Sequence, residues 1–480
     1  MNSILLIDIP VVPVNLPEMA RPYIQKKLFL EAKLRQTRLP GVVCPALPYT
    51  RGLLTVAAAL QEAGYGINYI VWSDPKDRLR LRELSRSASV IGITCMTSGH
   101  DVAASIAAEV RNINRNAFII LGGPHATALG ARLLDEIPAL DCIVRGHGHN
   151  VMVEIAQSAP FVDGLPGVST RRCPDDAVRS ESYSDFPMPA YNLLYRPLSE
   201  YAHSLRTSHG CPYGCSFCVE RLTWNKDSFS NLDCVYHELK TILPFMREHT
   251  LIHFSDPIFN MDMKRSSVLC EWLSSYASRF YFSMDTRLDK LSADQLADLK
   301  RAGCRYLRIG LESLGPTVMK KANKGWLPSD ADEILNNIHE LASDIIIHGY
   351  WITGLPGSTT DTLRQSVYDA QYLVKSKLVT ILSNKVLVPY PGTIYYNDPK
   401  SFDMTLLERP WRAFDRLSPP VFNLDGLTAA EIYNAFALTE KVIAETLHDE
   451  FAKSLDSNIP TSFETYKALA YLDEAAKVLV

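Results

Sequence analysis

Cys211-Pro212-Tyr213-Gly214-Cys215-Ser216-Phe217-Cys218 sets three cysteines at spacings of four and three residues, led in by Ser208-His209-Gly210. Three thiolates on a Gly- and Pro-shaped turn can hold three irons of a cubic cluster and leave the fourth without a protein ligand. An electron-transfer cluster avoids an open iron, whereas a substrate-binding cluster needs one. Zinc is the alternative. Closed structural zinc sites take four ligands, usually as two pairs, and His209 stands too near Cys211 for ordinary finger geometry. Cluster sites with four thiolates use other spacings. The open-cluster reading leads.

Outward from this loop the chain reads as alternating strands and helices. Ala202–Thr207 is the strand that delivers the loop, and Leu251–Phe254, Arg279–Asp285, Tyr306–Leu311, Asp344–Thr353 and Val379–Val388 follow it. Helical patterns separate them, such as Asp294–Ala302 closed by Gly303. Six such units make a partial (βα)6 TIM-type barrel, whose chemistry belongs at the C-terminal strand ends. Polar residues gather there: Ser255 and Asp256, Asp285 and Arg287, Glu312 and Ser313, then Gly354 and Leu355. Singly, Asp256-Pro257 reads as a turn, Arg287 as a partner of Asp285 and Glu312 as a helix cap. Their shared location argues for a site.

Residues 1–158 form another α/β rhythm. Strand patterns at Ile4–Ile9, Ile67–Trp72, Ser89–Cys95, Ala117–Leu121 and Asp141–Val144 alternate with helices at Gly52–Gly64, Asp101–Val110, Ala128–Leu134 and Asn150–Gln157. Pro10 through Pro48 reads as irregular. Short apolar strands between amphipathic helices imply a doubly wound parallel sheet, covered on both faces. Ligands bind such sheets at the carboxyl ends of the strands. Three small-residue loops stand there: Thr97-Ser98-Gly99-His100, Gly122-Gly123-Pro124-His125-Ala126-Thr127 and Arg145-Gly146-His147-Gly148-His149. Each alone reads as a tight turn. Residues 159–200 read as an ordered connector, 201–400 as the barrel, and 401–480 as a mostly helical tail in which Trp411 and Phe414 begin a lid.

The 480 residues, 47% hydrophobic and 21% charged with a net charge of −4, imply two or three domains and no nucleic-acid surface. No apolar run approaches a membrane span and no leader pattern precedes Ile4, so the reading is cytoplasmic. Of ten cysteines only the three are clustered. The rest fall singly, which suits a reducing compartment.

The Cys211–Cys218 motif, with an aromatic before its last cysteine, resembles the signature of radical S-adenosylmethionine (SAM) enzymes. The first sheet with its three loops resembles the cobalamin-binding domain fused ahead of one large class of them, which includes hopanoid methylases and the anaerobic magnesium-protoporphyrin ester cyclase. The resemblance covers roughly residues 1–400. It implies a 4Fe-4S cluster on Cys211, Cys215 and Cys218, and SAM against Phe217, Ser255, Asp256, Arg287, Glu312, Ser313, Gly354, Val388 and Pro389. Phe217 corresponds to the aromatic beside adenine and Glu312 to the strand-four acid. Cobalamin would meet Thr97, Ser98, Gly99, Gly122, Gly123, His125, Ala126, Gly146, His147 and Gly148. Two departures stand out: no D-x-H-x-x-G motif is present, and the usual R-G-E-G-E loop reads Arg145-Gly146-His147-Gly148-His149.

The resemblance implies a 5′-deoxyadenosyl radical, a reductase, flavodoxin or ferredoxin as electron donor, and a small-molecule or natural-product substrate. The leading expectation is a cobalamin-dependent methyltransferase acting on an unactivated carbon. A radical dehydratase or deoxygenase, epimerase or cyclase without cobalamin is the first rival, for which Tyr390, Cys304 or Cys270 would serve as hydrogen donor. A metal- or cobalamin-binding protein without turnover is the second.

Overall fold

The computed structural model describes residues 3–10, 16–72, 77–174, 177–182, 186–223, 228–326 and 328–452. The apolar run near the N-terminus forms a strand, Ser3–Asp8, and it lies inside the first sheet. That sheet has six strands in the order Gly66–Val71, Ser3–Asp8, Ala88–Thr94, Phe118–Gly122, Cys142–Val144 and Val168–Thr170. The first five are parallel and the last pairs antiparallel. Alternation along Ser3–Asp8 explains the two faces. Ile4 and Leu6 pack with Leu54, Ala57, Val151 and Ile155, whereas Leu5 and Ile7 pack with Leu81, Ala103, Ile106 and Val110. Helices Arg51–Glu62 and His149–Ser158 thus cover one face, and Asp77–Ser85 and His100–Ile113 the other.

The second sheet is an open, all-parallel set of six: Ser204–Leu205, Thr250–Phe254, Phe280–Thr286, Cys304–Glu312, Ile346–Thr353 and Ile381–Val386. Its helices start where polar side chains close their free N–H groups. Asn231, Asp262 and Ser292 accept from residues in the first turn, and Thr359 makes a capping box with Thr362. The strand count and order are those of a partial (βα)6 barrel.

Three features depart from the sequence reading. Within the stretch read as irregular, Arg21–Arg38 is an 18-residue helix. It buries Lys27 and Glu31 beside Ile24, Phe29 and Leu30, so its inward face carries no clean apolar stripe. Second, Gly130 adopts φ 56° and splits the expected Ala128–Leu134 helix into Pro124–Leu129 and Arg132–Glu136. Third, the connector 159–200 supplies the first sheet's antiparallel edge strand, Val168–Thr170.

Arg21–Arg38 packs on the C-terminal helix Ala429–Ala452, and the two cover the last barrel strand through Ile24, Val386, Tyr433 and Phe436. The chain then crosses to the barrel's opposite edge, where Val43 bridges Thr250 and Leu47 bridges Tyr201. The tail before the last helix is a short ribbon, Met404–Leu406 with Phe422–Leu424. The tail read from the sequence as 401–480 extends past the described residues from 453 onward.

Candidate functional site

The three cysteines leave the first barrel strand on a loop fixed at many points. Cys211 and Cys215 are partly buried and Cys218 is exposed. Ser216 donates its N–H to Ala322 O (3.0 Å) and its hydroxyl to Lys321 O (3.3 Å). Asn323 donates to Gly214 O (2.9 Å), and Tyr395 donates to Lys321 O (3.2 Å) beside the same turn. The Arg287 guanidinium stacks on Tyr213 at 3.7 Å and grips Asp289 with two bonds of 2.9 and 3.0 Å. It also donates to Lys324 O (2.6 Å), so it braces the loop against the third and fourth strands. Among the described residues no three His, Cys, Asp or Glu side chains close on a single-ion site.

Asp256 sits below the loop's entry and is 1% exposed. One carboxylate oxygen accepts from Thr207 N (2.9 Å), Thr207 Oγ1 (3.1 Å) and Ser208 Oγ (2.6 Å). Its other oxygen is buried without a hydrogen-bond partner. Burial raises its carboxyl above the ordinary range, against the donors from Ser208 and Thr207. Asp256 therefore sets the direction in which the chain enters the cysteine turn. Ser255 next to it donates to Leu205 O.

At the fourth strand's end Glu312 holds Lys324 at 2.8 Å, both nearly buried. Lys324 stands 5.7 Å above the Phe217 ring. Glu312 has φ 64°, where a bulge shifts the pairing with the fifth strand. Gly310 makes room for this pair, since a Cβ there would lie 2.6 Å from Glu312 Oε1 and 2.7 Å from Lys324 Nζ. Acid, ammonium and aromatic thus meet beside the cysteine turn. Ser313 accepts from Gly315 N. Gly354 is closed off: at φ 88°, an added Cβ would lie 2.5 Å from Ile432 of the C-terminal helix. Val388 packs with Phe414 and Val421, and Pro389 beside it is buried.

A cavity of about 690 Å³ lies where the first sheet's carboxyl edge faces the barrel. Its floor is apolar, with Leu6, Ile93, Ile120, Val144 and Met152. It opens between Ser3–Asp8 and Ala88–Thr94, where the strand order reverses and α/β sheets place their ligands. Gly122, Gly123, Gly146, His147 and Gly148, all named from the sequence, line this cavity. Gly92 sets its depth, since a Cβ there would strike Leu6 (2.9 Å). The barrel contributes Arg206, His209, Asp233 and Glu238 to the opposite wall. Arg51 bridges the two walls with paired bonds of 2.7 and 2.8 Å to Glu238. An apolar floor under a polar rim suits a ligand with an apolar inner part and a polar outer part.

The two histidines of the altered loop belong to this wall. His149 meets Glu181 Oε2 at 2.7 Å, and His147 Nδ1 accepts from Glu181 N (2.7 Å). Burial pushes His147 down to about 4, so the imidazole is neutral near pH 7. Phe186 packs 4.1 Å from His149. Thr97, Ser98, Gly99, His125 and Ala126 are not among the lining residues. His125 contacts Thr97 (3.3 Å) and lies 4.9 Å from Trp411, whose indole donates to Glu136 (2.8 Å). These loops dock the tail segment Trp411–Ala413 instead. Cys270 and Cys304 are buried in the apolar core between strands and helices, away from the cysteine turn. Sequence reading missed Arg51, Arg206, Glu238 and Phe186. Arg51 and Glu238 lie 187 residues apart, and no local pattern links them.

Fold and site together define a Rossmann-type sheet joined to a partial (βα)6 barrel that carries the cysteine turn at its C-terminal end. Residues 40–156 match the B12 binding domain family and 205–368 the Radical SAM superfamily. The chain is a radical SAM enzyme with a B12 binding domain ahead of its radical SAM domain. It is 25% identical over 384 residues to an uncharacterized methyltransferase of Pyrococcus horikoshii, covering 75% of this chain and 81% of that protein. It is 24% identical over 339 residues to the anaerobic magnesium-protoporphyrin IX monomethyl ester cyclase of Cereibacter sphaeroides, covering 65% of this chain and 54% of the cyclase. Among solved structures, the radical SAM methyltransferase TsrM from Kitasatospora setae, with cobalamin and a [4Fe-4S] cluster bound, shares the fold. Its TM-score is 0.63 at 17% identity, over 87% of this chain and 82% of that one.

Proposed function

We propose that this enzyme is a cobalamin-dependent methyltransferase that acts on an unactivated carbon of a small-molecule substrate. The observation that carries the reading is the 690 Å³ cavity walled by both domains, with the pinned cysteine turn on the barrel side of it. Cys211, Cys215 and Cys218 would hold the cluster. Phe217, Glu312 and Lys324 would take SAM, the acid and ammonium meeting its polar groups and the ring its adenine. Asp256 and Arg287 keep the turn in place and touch no ligand in this reading. Gly92, Gly122, Gly146 and Gly148 leave the space a corrinoid needs, and His147 offers it a neutral polar edge. When bound, these groups supply the electron that cleaves SAM and a carrier for the methyl group. Cys218, the exposed cysteine, marks the side on which a flavodoxin- or ferredoxin-type donor would approach.

The relationship to the ester cyclase supports a second reading, radical chemistry without methyl transfer. The test is an anaerobic titration of the reconstituted enzyme with hydroxocobalamin, read by visible spectrum, with iron and sulfide quantified alongside. The expected result is saturable binding with a shifted spectrum and about four irons per chain. A full cluster without corrinoid binding would overturn the methyltransferase reading and leave the second.

A further inference from the structure

A carboxylate behind the cavity floor has no part in the sites described so far. Ser3–Asp8 alternates its faces, so Ile4, Leu6 and Asp8 share one side of the strand. Leu6 belongs to the cavity floor. Asp8, two residues nearer the carboxyl edge, is 0% exposed and meets the start of helix Arg51–Glu62. Its Oδ2 accepts from Thr50 N (2.6 Å) and from the Tyr69 hydroxyl (2.7 Å). Tyr69 stands opposite Leu6 on the neighbouring strand and is itself buried. The other oxygen, Oδ1, is buried with no hydrogen-bond partner among the described residues. Burial raises the carboxyl above its ordinary range, against the donors from Thr50 and Tyr69.

Such a group costs stability. An apolar side chain there would continue the buried run Ile4–Ile7 and leave no orphaned oxygen. What the carboxylate supplies is an anchor for one backbone N–H. Thr50 precedes the first helical residue, and its own side chain makes no cap, so Asp8 ties down this corner. Thr50, Arg51 and Gly52 all line the cavity. From the corner Arg51 reaches across to the barrel, where Glu238 takes it with two bonds. Glu238 Oε1 also accepts from the Tyr191 hydroxyl of the connector (2.5 Å). First domain, connector and barrel thus meet on one carboxylate, and the line that brings Arg51 to it starts at Asp8.

We infer that Asp8 is a positioning residue for the corrinoid: it holds the Thr50–Arg51 corner so that Arg51 stays on Glu238 and the two cavity walls keep one spacing. Asp8 itself touches no ligand. This rests on the corrinoid reading of the cavity given above. A wall already in place spares binding the cost of ordering it. Loss of Asp8 therefore weakens corrinoid binding and leaves the cluster alone.

The test titrates hydroxocobalamin into the full chain with its cluster rebuilt, followed by visible spectrum. Melting temperature and iron content are measured on each variant. Asp8→Leu should raise Kd about tenfold, the scale of one hydrogen bond, with iron at the native level and no fall in melting temperature. A merely structural residue would lower stability and affinity together. Asp8→Asn keeps an acceptor for Thr50 and Tyr69 and should bind within about twofold of the native chain. Arg51→Gln should also weaken binding. Combined with Asp8→Leu it should lose no more than the weaker single variant, because the two residues act as one unit. Should Leu not fit, Asp8→Ala enters the same cycle, read by affinity alone. Native affinity in Asp8→Leu, a melting temperature that falls with its affinity, Asp8→Asn binding as weakly as Asp8→Leu, or losses that multiply in the double variant would overturn the inference. Binding by the native chain separates the two readings. A native chain that binds no better than Asp8→Leu sinks only this inference, and a native chain that does not bind at all sinks the corrinoid reading beneath it as well.

Discussion

Glu312 stands in a left-handed backbone conformation beside a bulge, with its carboxylate committed to Lys324 and a glycine two residues back making the space. Strained backbone that surroundings enforce is a mark of a working site. Glu312→Gln should weaken SAM binding by about tenfold while iron content stays at the native level, as equilibrium dialysis and iron assay would show. Equal affinity would remove Glu312 from the SAM site. Asp256 makes a different case. Its carboxyl is raised from 3.8 chiefly by burial, so the fold disfavours its charged form. The native chain should lose stability relative to the Asp256→Asn variant as pH climbs from about 4 through the raised value. Melting curves from pH 4 to pH 8 should show the variant gaining on the native chain, and a constant gap would contradict this. The cysteines and Glu312 were legible because each sits in a local motif at a strand end. Arg287 was legible as a residue and not as a role. Its grip on Asp289 and its stack on Tyr213 depend on side-chain directions that spacing does not encode.

At the scale of elements, the least legible was Arg21–Arg38. Its inward face holds Lys27 and Glu31, and Lys27 meets Glu440 at 2.8 Å with side chains 3% and 0% exposed. A periodicity search asks for apolar residues where this helix buries charges. Buried pairs tolerate joint replacement and resist single loss. Lys27→Met should cost about 3–5 kcal/mol, seen as faster amide exchange across Arg21–Arg38 and a lowered melting temperature. Adding Glu440→Leu should restore most of it. A double variant as unstable as the single one would show that the pair is more than a charge balance. The barrel strands, in contrast, were placed within a few residues, because each pairs an apolar helix-side face with a clear turn.

At the scale of the molecule, the two sheets were readable as two α/β units, but the space between them was not. It is assembled from Arg51, His147, Phe186, Arg206 and Glu238, which no window of sequence holds together. Hydroxocobalamin should slow amide exchange in both Arg51–Glu62 and Leu232–Ile242, since both helices supply the wall. Protection confined to the first domain would place the corrinoid elsewhere.

The path of the N-terminal segment bears on how the chain is made. Ser3–Asp8 belongs to the first sheet, yet the next helix belongs to the barrel's edge. Lys27 leaves the ribosome 413 residues ahead of Glu440. At ordinary elongation rates of roughly 5–20 residues per second, that helix waits tens of seconds for its partner. Through that interval its apolar residues Ile24, Phe29 and Leu30 have no final home. The charges that hid this helix from a pattern search also keep it soluble while it waits. Nascent chains stalled before residue 429 should therefore carry an exposed first helix open to chaperones, and the barrel's edge is sealed last.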